Sequence, residues 1–309
     1  MLLAHPALTV KRRLGAISHL RKYFQLGGLS PPVRFLVHNS SINNLARGVL
    51  TRVFYAKGRP TPQPLTGIYV KRLRYIRDIL VRRLSSTTPV TRQEFVEYYK
   101  GRRKTLYQKA ADSLLSSGIV PRDATIRAFV KAEFICSDNK PDPDPRVISP
   151  RDPRYNVEVG KYLRPLEHKL YHAIDRLFDG PTVLKGYNAL EIGRIFRDKW
   201  SRYRSPAAIG LDASRFDQHV SRQALEWEHS IYNGVFQSGE LRKLLKWQLA
   251  NNVVGWCRDG SLRYRTDGVR MSGDMNTAMG NCLLMCSLVH SYLRERNITA
   301  SLANNGDDC

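Results

Sequence analysis

The sequence predicts an α+β chain on three observations. Apolar residues recur with helical period over long stretches, among them 68–84, 91–117 and 156–178. Two Asx-Gly pairs, Asp259-Gly260 and Asn305-Gly306, carry the signal of β-hairpin turns. Two short apolar stretches, Ala207–Leu211 and Ala300–Ala303, run into acidic residues: Asp212 with Asp217 after the first, Asp307 with Asp308 after the second. If those stretches are neighbouring strands, three or four carboxylates converge. Carboxylates held together repel, so such a site needs hard cations with oxygen ligands, which suits Mg²⁺ used with substrate phosphates.

The 309 residues can bury a large core and hold two domains. Formal charge is +23, and the excess is uneven: residues 1–110 hold 22 of the 50 Lys/Arg but only 3 of the 27 Asp/Glu. Such a field favours a polyanion, with nucleic acid ahead of an anionic membrane surface once the carboxylates are counted. The five cysteines form no Cys-x-x-Cys pair and no even-numbered framework, so a reducing compartment and no disulfide-linked partner are expected. Cys282 and Cys286 read as core packing, and His168 with His172 find no further ligand for zinc.

In chain order, residues 9–24 pattern as a basic amphipathic helix, with Leu14, Ile17, Leu20 and Phe24 on its apolar side. It suits a membrane surface, organelle targeting or docking on the protein body. Gly and Pro punctuate 25–66, which reads as loops around a short helix or strand. Leu73, Ile76, Leu80 and Leu84 define a helix with a basic opposite face. Thr91 with Glu94 makes a capping box for a helix running to Gly118. Residues 127–135 read as a strand, 138–145 as a proline-rich turn and 146–148 as a returning strand. The resulting cationic hairpin suits triphosphates, because Arg clamps phosphate oxygens bidentately. Helices are expected over 156–178, 189–200, after Ser221 and from about Glu240, and a hairpin turns at Asp259-Gly260. The next loop delivers Ser272-Gly273, where the missing side chain permits close approach, and leads into an apolar helix.

Taken together, Asp212 and Asp217, then Ser272, Gly273, Thr277 and Asn281, then Gly306-Asp307-Asp308 closely resemble the three palm motifs of the RNA-dependent RNA polymerases of positive-strand RNA viruses, most nearly the tombusvirus-like ones. Lys131-Ala132-Glu133 and the stretch from Lys140 through Arg146 to Arg151 resemble the family's nucleotide-channel motif, and the likeness runs from about Phe35 onward. The resemblance implies a right-hand polymerase fold. A basic amino-terminal extension and fingertips region would span 1–90 and fingers 91–206; 207–309 would be a partial palm with a fingers insertion at about 237–270. It implies nucleotide transfer from NTPs to an RNA 3′ end by a two-metal mechanism. Asp212, Asp307 and Asp308 would hold Mg²⁺, with Mn²⁺ as an alternative. Asp217, Ser272, Gly273, Thr277 and Asn281 would surround the ribose, and Lys131, Lys140, Arg146 and Arg151 would line the triphosphate channel. Implied partners are an RNA template with primer or nascent strand, NTPs and a membrane-anchored viral replicase protein, at a membrane-associated complex in the host cytoplasm. Only Asp307, Asp308 and Cys309 remain to make a strand after the Asn305-Gly306 turn, so the expectation is a polymerase cut after Gly-Asp-Asp, its thumb absent. A non-catalytic RNA-binding fragment is the alternative; a reverse transcriptase shares the carboxylate logic, but Asn281 with Asp217 argues against it.

Overall fold

Caps and apolar spacing place most of the helices, and long-range pairing places most of the strands. The computed structural model describes residues 4–24, 35–136, 138 and 141–309. The first part comprises β1 (Leu8–Arg12), β2 (Phe35–Leu36), α1 (Ile42–Val49) with a π turn at Leu50–Phe54, β3 (Tyr55–Ala56), β4 (Arg59–Pro60) and α2 (Ile68–Leu84). There follow α3 (Arg92–Glu97), α4 (Gly101–Ser116), β5 (Ile126–Val130), β6 (Ile135–Cys136), β7 (Val147–Ile148), α5 (Pro153–Asp175) and α6 (Ala189–Trp200). The last part holds α7 (Phe216–His219), α8 (Arg222–Phe236), α9 (Gly239–Leu249), β8 (Ala250–Cys257), β9 (Gly260–Asp267) and α10 (Thr277–Arg296).

Local signals set several starts. Thr91 accepts from the Glu94 amide and Glu94 returns the bond to Thr91, closing the capping box of α3. Ser221 caps α8, and Asp152 with Pro153 opens α5. The largest core joins α2, α5, α8, α9 and α10 through residues such as Leu73, Ile76, Leu166, Ile174, Ile231 and Leu283. Each such burial contributes about 1.5–3 kcal/mol over exposure. Cys282 and Cys286 are buried in that core. A second cluster packs α1 against the sheet through Leu45, Ile126, Val253 and Leu262, and a third seats α3 and α4 on Val157 of α5. No described helix is long and apolar enough to cross a membrane.

The five-stranded sheet runs β1-β9-β8-β5-β7, and β5 pairs with β8 in parallel, so it is mixed rather than antiparallel throughout. Where residues 9–24 pattern as a helix, 8–12 form edge strand β1, with Leu8 opposite Tyr264 and Arg12 opposite Gly260. The edge of β9 supplies a full ladder partner, and Leu8 and Val10 alternate inward onto the sheet core, a gain that a local period cannot show. Leu14, Ile17, Leu20 and Phe24 are exposed.

Other elements are shorter than expected. The helix from Thr91 splits into α3 and α4, and the strand 127–135 into β5 and β6 with Lys131–Phe134 between them. The second hairpin turns at Arg258-Asp259, since Cys257 pairs with Gly260. Helix α6 has the expected bounds but leaves Leu190, Phe196 and Trp200 in solvent. Neither apolar stretch before the carboxylates is a strand; their acidic ends meet through the isolated bridge of Asp212 with Asp308, while Asn304 bridges Val183 on its other side. Ile209 and Leu211 are exposed, so little burial supports a longer ladder there.

Candidate active site

The acidic turn is built one residue later than the Asn305-Gly306 pair suggests. Gly306 and Asp307 form its tip and Asn305 donates to the Asp308 carbonyl at 2.9 Å. Gly306 stands at φ +98°, a conformation L side chains rarely adopt, and Gly in the first central position is the mark of a II′-like turn. Asn304, which the sequence reading passed over, organises the turn from beneath. It is fully buried, its Nδ2 donates to the carbonyls of Gly306 (2.8 Å) and Asp308 (3.0 Å), and its backbone is held between Thr182 and Leu184. Short polar side chains bond their own backbone two residues on, and this run of Asn residues carries that signal.

Asp212 is brought to the same place. Leu211 and Cys309 exchange backbone hydrogen bonds of 2.8 and 3.1 Å, which sets Asp212 opposite Asp308. Asp212, Asp307 and Asp308 have no ion pair among the described residues, and their oxygens are of the hard type that Mg²⁺ prefers. No three His, Cys, Asp or Glu side chains among the described residues gather closely enough to cage an ion unaided. That fits a cation bound by one or two carboxylates and completed by water and substrate phosphates.

A cleft of about 380 Å³ runs from Asp307 past Asp217 and Ser272 to Arg146 and Arg52. Its cationic wall is the β5/β7 hairpin, where Phe129 pairs with Ile148 and Val130 with Val147. There Glu133 lies between Lys131 Nζ (2.8 Å) and Arg146 Nη1 (3.2 Å), so one carboxylate holds both expected triphosphate contacts. Arg52, not anticipated from the sequence, donates to the Pro145 and Asp144 carbonyls; burial lowers its pKa, with Arg215 and Arg146 adding to the effect. Arg151 is a correction. It is buried away from the cleft, its donors taken by Asp274, Asn251 and the Ala124 carbonyl, because a buried guanidinium needs a partner for each donor. Lys140 lies outside the described residues.

Asp217 faces the cleft and accepts from Asn281 Nδ2 at 2.8 Å, joining the first and second motif stretches. Burial pushes the Asp217 carboxyl above the usual carboxylate range. The Asn281 hydrogen bond and Arg270 oppose the rise, while Asp307 adds to it. Ser272 Oγ accepts from the Ser149 amide (3.2 Å) and faces the Val147 carbonyl (3.4 Å), tying its loop to the hairpin. Thr277 Oγ1 donates to the carbonyls of Met271 or Asp274, each 2.9 Å away, so its hydroxyl closes the loop before α10. Gly273 approaches backbone as the sequence suggests: a Cβ there would stand 2.6 Å from Pro150 Cα and 2.9 Å from Ser149 O.

Comparison with known proteins gives the family. The family model described as viral RNA dependent RNA polymerase matches residues 8–309. The chain is 53% identical over 295 residues to the RNA-directed RNA polymerase of Turnip crinkle virus, covering 94% of this chain and 38% of that protein. It is 50% identical to that of Melon necrotic spot virus, covering 94% and 37%, and 46% identical to that of Pothos latent virus, covering 100% and 42%. The chain thus spans about two fifths of the length of the curated relatives it matches. With its carboxylate turn, its Asp217–Asn281 pair and its cationic hairpin in place, the chain belongs to the viral RNA-dependent RNA polymerase family.

Proposed function

We propose that this chain carries the nucleotidyl-transfer centre of a viral RNA-directed RNA polymerase, folded as the fingers and part of the palm of a right-hand polymerase. The observation that carries the reading is the bridge of Asp212 to Asp308 beside Asp307, across one cleft from Arg146 and next to the Asp217–Asn281 pair. In the reaction an RNA 3′-hydroxyl attacks the α-phosphate of a bound ribonucleoside triphosphate and pyrophosphate leaves. Asp212 and Asp307, assisted by Asp308, would hold Mg²⁺ or Mn²⁺. The ions, when bound, lower the pKa of the attacking hydroxyl and offset charge on the leaving oxygens.

The protein's own groups position the substrate. Arg146 and Lys131 draw the triphosphate into the cleft as Glu133 gives them up. Asp217 and Asn281 meet the ribose and read its 2′-hydroxyl, the group that separates RNA from DNA precursors. A hollow of about 920 Å³ lined by Lys57 and Arg59, and by Arg215 in its pair with Asp144, offers cations to an RNA backbone. Template, primer or nascent strand and NTPs are the proposed ligands, and a membrane-anchored replicase protein in the host cytoplasm the proposed setting.

The test is incorporation of ribonucleotides on an RNA template, with and without Mg²⁺, by the chain completed to the length of its relatives. Metal-dependent incorporation supports the reading. Salt-sensitive RNA binding with no incorporation favours a non-catalytic RNA-binding role, a reading supported by the excess of Lys/Arg over Asp/Glu in residues 1–110.

A further inference from the structure

Behind Asp217 lies a buried polar chain with no counterpart in the motif reading. Arg270 and Glu228 form an ion pair whose side chains are both fully removed from solvent, deep in a protein otherwise rich in surface charge. Two Arg270 nitrogens face the two Glu228 oxygens, one contact at 3.1 Å, and the third donor, Nε, points to Asn281 Oδ1 at 3.1 Å. Glu228 is held in turn by Asn276 Nδ2 (2.6 Å) and by the Tyr232 hydroxyl (2.9 Å). Asn276 accepts from Gln248 (3.1 Å), whose Oε1 meets His229 Nε2 at 3.1 Å. Burial alone would raise the Glu228 carboxyl; the Arg270 charge and hydrogen bonds more than offset this and leave it below its ordinary value. Gly280 completes the cradle, since a Cβ there would stand 2.6 Å from a Glu228 oxygen.

The consequence falls on one amide. An asparagine amide can present either its oxygen or its nitrogen to a neighbour. Arginine has only donors, so Arg270 Nε accepts no orientation of Asn281 except Oδ1 inward. The nitrogen must then face Asp217, where it donates at 2.8 Å to Oδ1. We infer that Arg270, fixed by Glu228, is a positioning residue for sugar selection: it locks the polarity of the Asn281 amide, and through it the carboxylate of Asp217, for recognition of a ribose 2′-hydroxyl. Without the lock the amide turns over, sets oxygen against oxygen and leaves Asp217 free to rotate. This inference rests on the ribose role of Asp217 and Asn281 proposed above.

Arg270→Lys keeps a cation for Glu228 but has no second donor in the planar fork to hold Asn281. The test compares the ribonucleotide-to-deoxyribonucleotide ratio of kcat/KM in the completed polymerase for wild type, Arg270→Lys, Asn281→Ala and the double variant. Arg270→Lys is expected to lower the ratio about tenfold, the worth of one hydrogen bond to a charged group. It should add nothing in the Asn281→Ala background, because it acts through that residue. An unchanged ratio in Arg270→Lys, or an equal fall in both backgrounds, overturns the inference while leaving the ribose reading standing. An unchanged ratio in Asn281→Ala overturns the ribose reading itself, and the lock with it. Should Arg270→Lys fail to fold, Glu228→Gln loosens the same pair with its shape kept and is held to the same outcomes.

Discussion

Replacing Gly273 with Ala tests the joint between the cationic hairpin and the ribose loop. The new Cβ would stand 2.6 Å from Pro150 Cα, 2.8 Å from Pro150 N and 2.9 Å from Ser149 O, all of them backbone. That backbone has little room to yield: β7 is paired with β5, the Pro150 carbonyl accepts from the Arg127 amide at 3.0 Å, and the Ser149 amide is bonded to Ser272. Overpacking of this kind costs about 1–3 kcal/mol. Taking roughly 2–4 °C per kcal/mol for a domain of this size, Tm falls by several degrees. Relief of the contact pushes Arg146 away from Ser272, so KM for NTPs rises while RNA affinity holds. Thermal denaturation and steady-state incorporation in the completed polymerase read both effects. Unchanged Tm together with unchanged KM would refute the reasoning, since neither the contact nor its coupling to the hairpin would then exist.

Glu133→Gln removes the charge that occupies Lys131 and Arg146, so KM for NTPs should fall severalfold at low salt; a rise would mean that Glu133 shapes the hairpin rather than competing for its cations. Arg151→Met leaves Asp274 buried without its partner and should cost about 3–5 kcal/mol of stability, measured by urea unfolding, whereas a selective KM effect with normal stability would restore Arg151 to the channel. His229 is held neutral by burial, its pKa lowered to about 4 from 6.5. The unfolded chain therefore binds the proton first, and stability present above pH 6.5 is lost as pH falls toward 4, by about 3 kcal/mol at about 1.4 kcal/mol per pH unit. His229→Asn should flatten the dependence of the urea midpoint on pH between 7 and 4, and an unaltered slope would assign it to other groups.

What the sequence revealed and what it hid divide by range. The caps at Thr91 and Ser221, the face of Leu73, Ile76 and Leu80, and the ends of α6 follow from residues within a turn or two of each other. The approach of Asp212 to Asp308, 96 positions apart, follows from the two acid-ended apolar stretches only on the condition that they are neighbours, and family likeness rather than any local pattern supplies that condition. Strand β1 is not legible locally because its partner, β9, lies about 250 residues away, and a helical period in 9–24 says nothing about that vacant edge. Arg151 is assigned to the channel by likeness to the family motif alone; only the fold shows its pairing with Asp274. Arg52 and the Glu228–Arg270 pair give no signal beyond residue type, since their roles are set by carbonyls and side chains distant in sequence, whereas Asn304 bonds carbonyls only two and four residues on and carries a local turn signal.

The most direct test of the central claim is Asp307→Ala in the completed polymerase, assayed for Mg²⁺-dependent ribonucleotide incorporation alongside RNA affinity and Tm. Asp307 stands at the tip of its turn, partly exposed and without an ion pair among the described residues, so the fold does not depend on its carboxylate. Incorporation lost with RNA binding and Tm intact is the predicted result; incorporation retained at the wild-type rate would contradict the assignment of this turn as the catalytic centre.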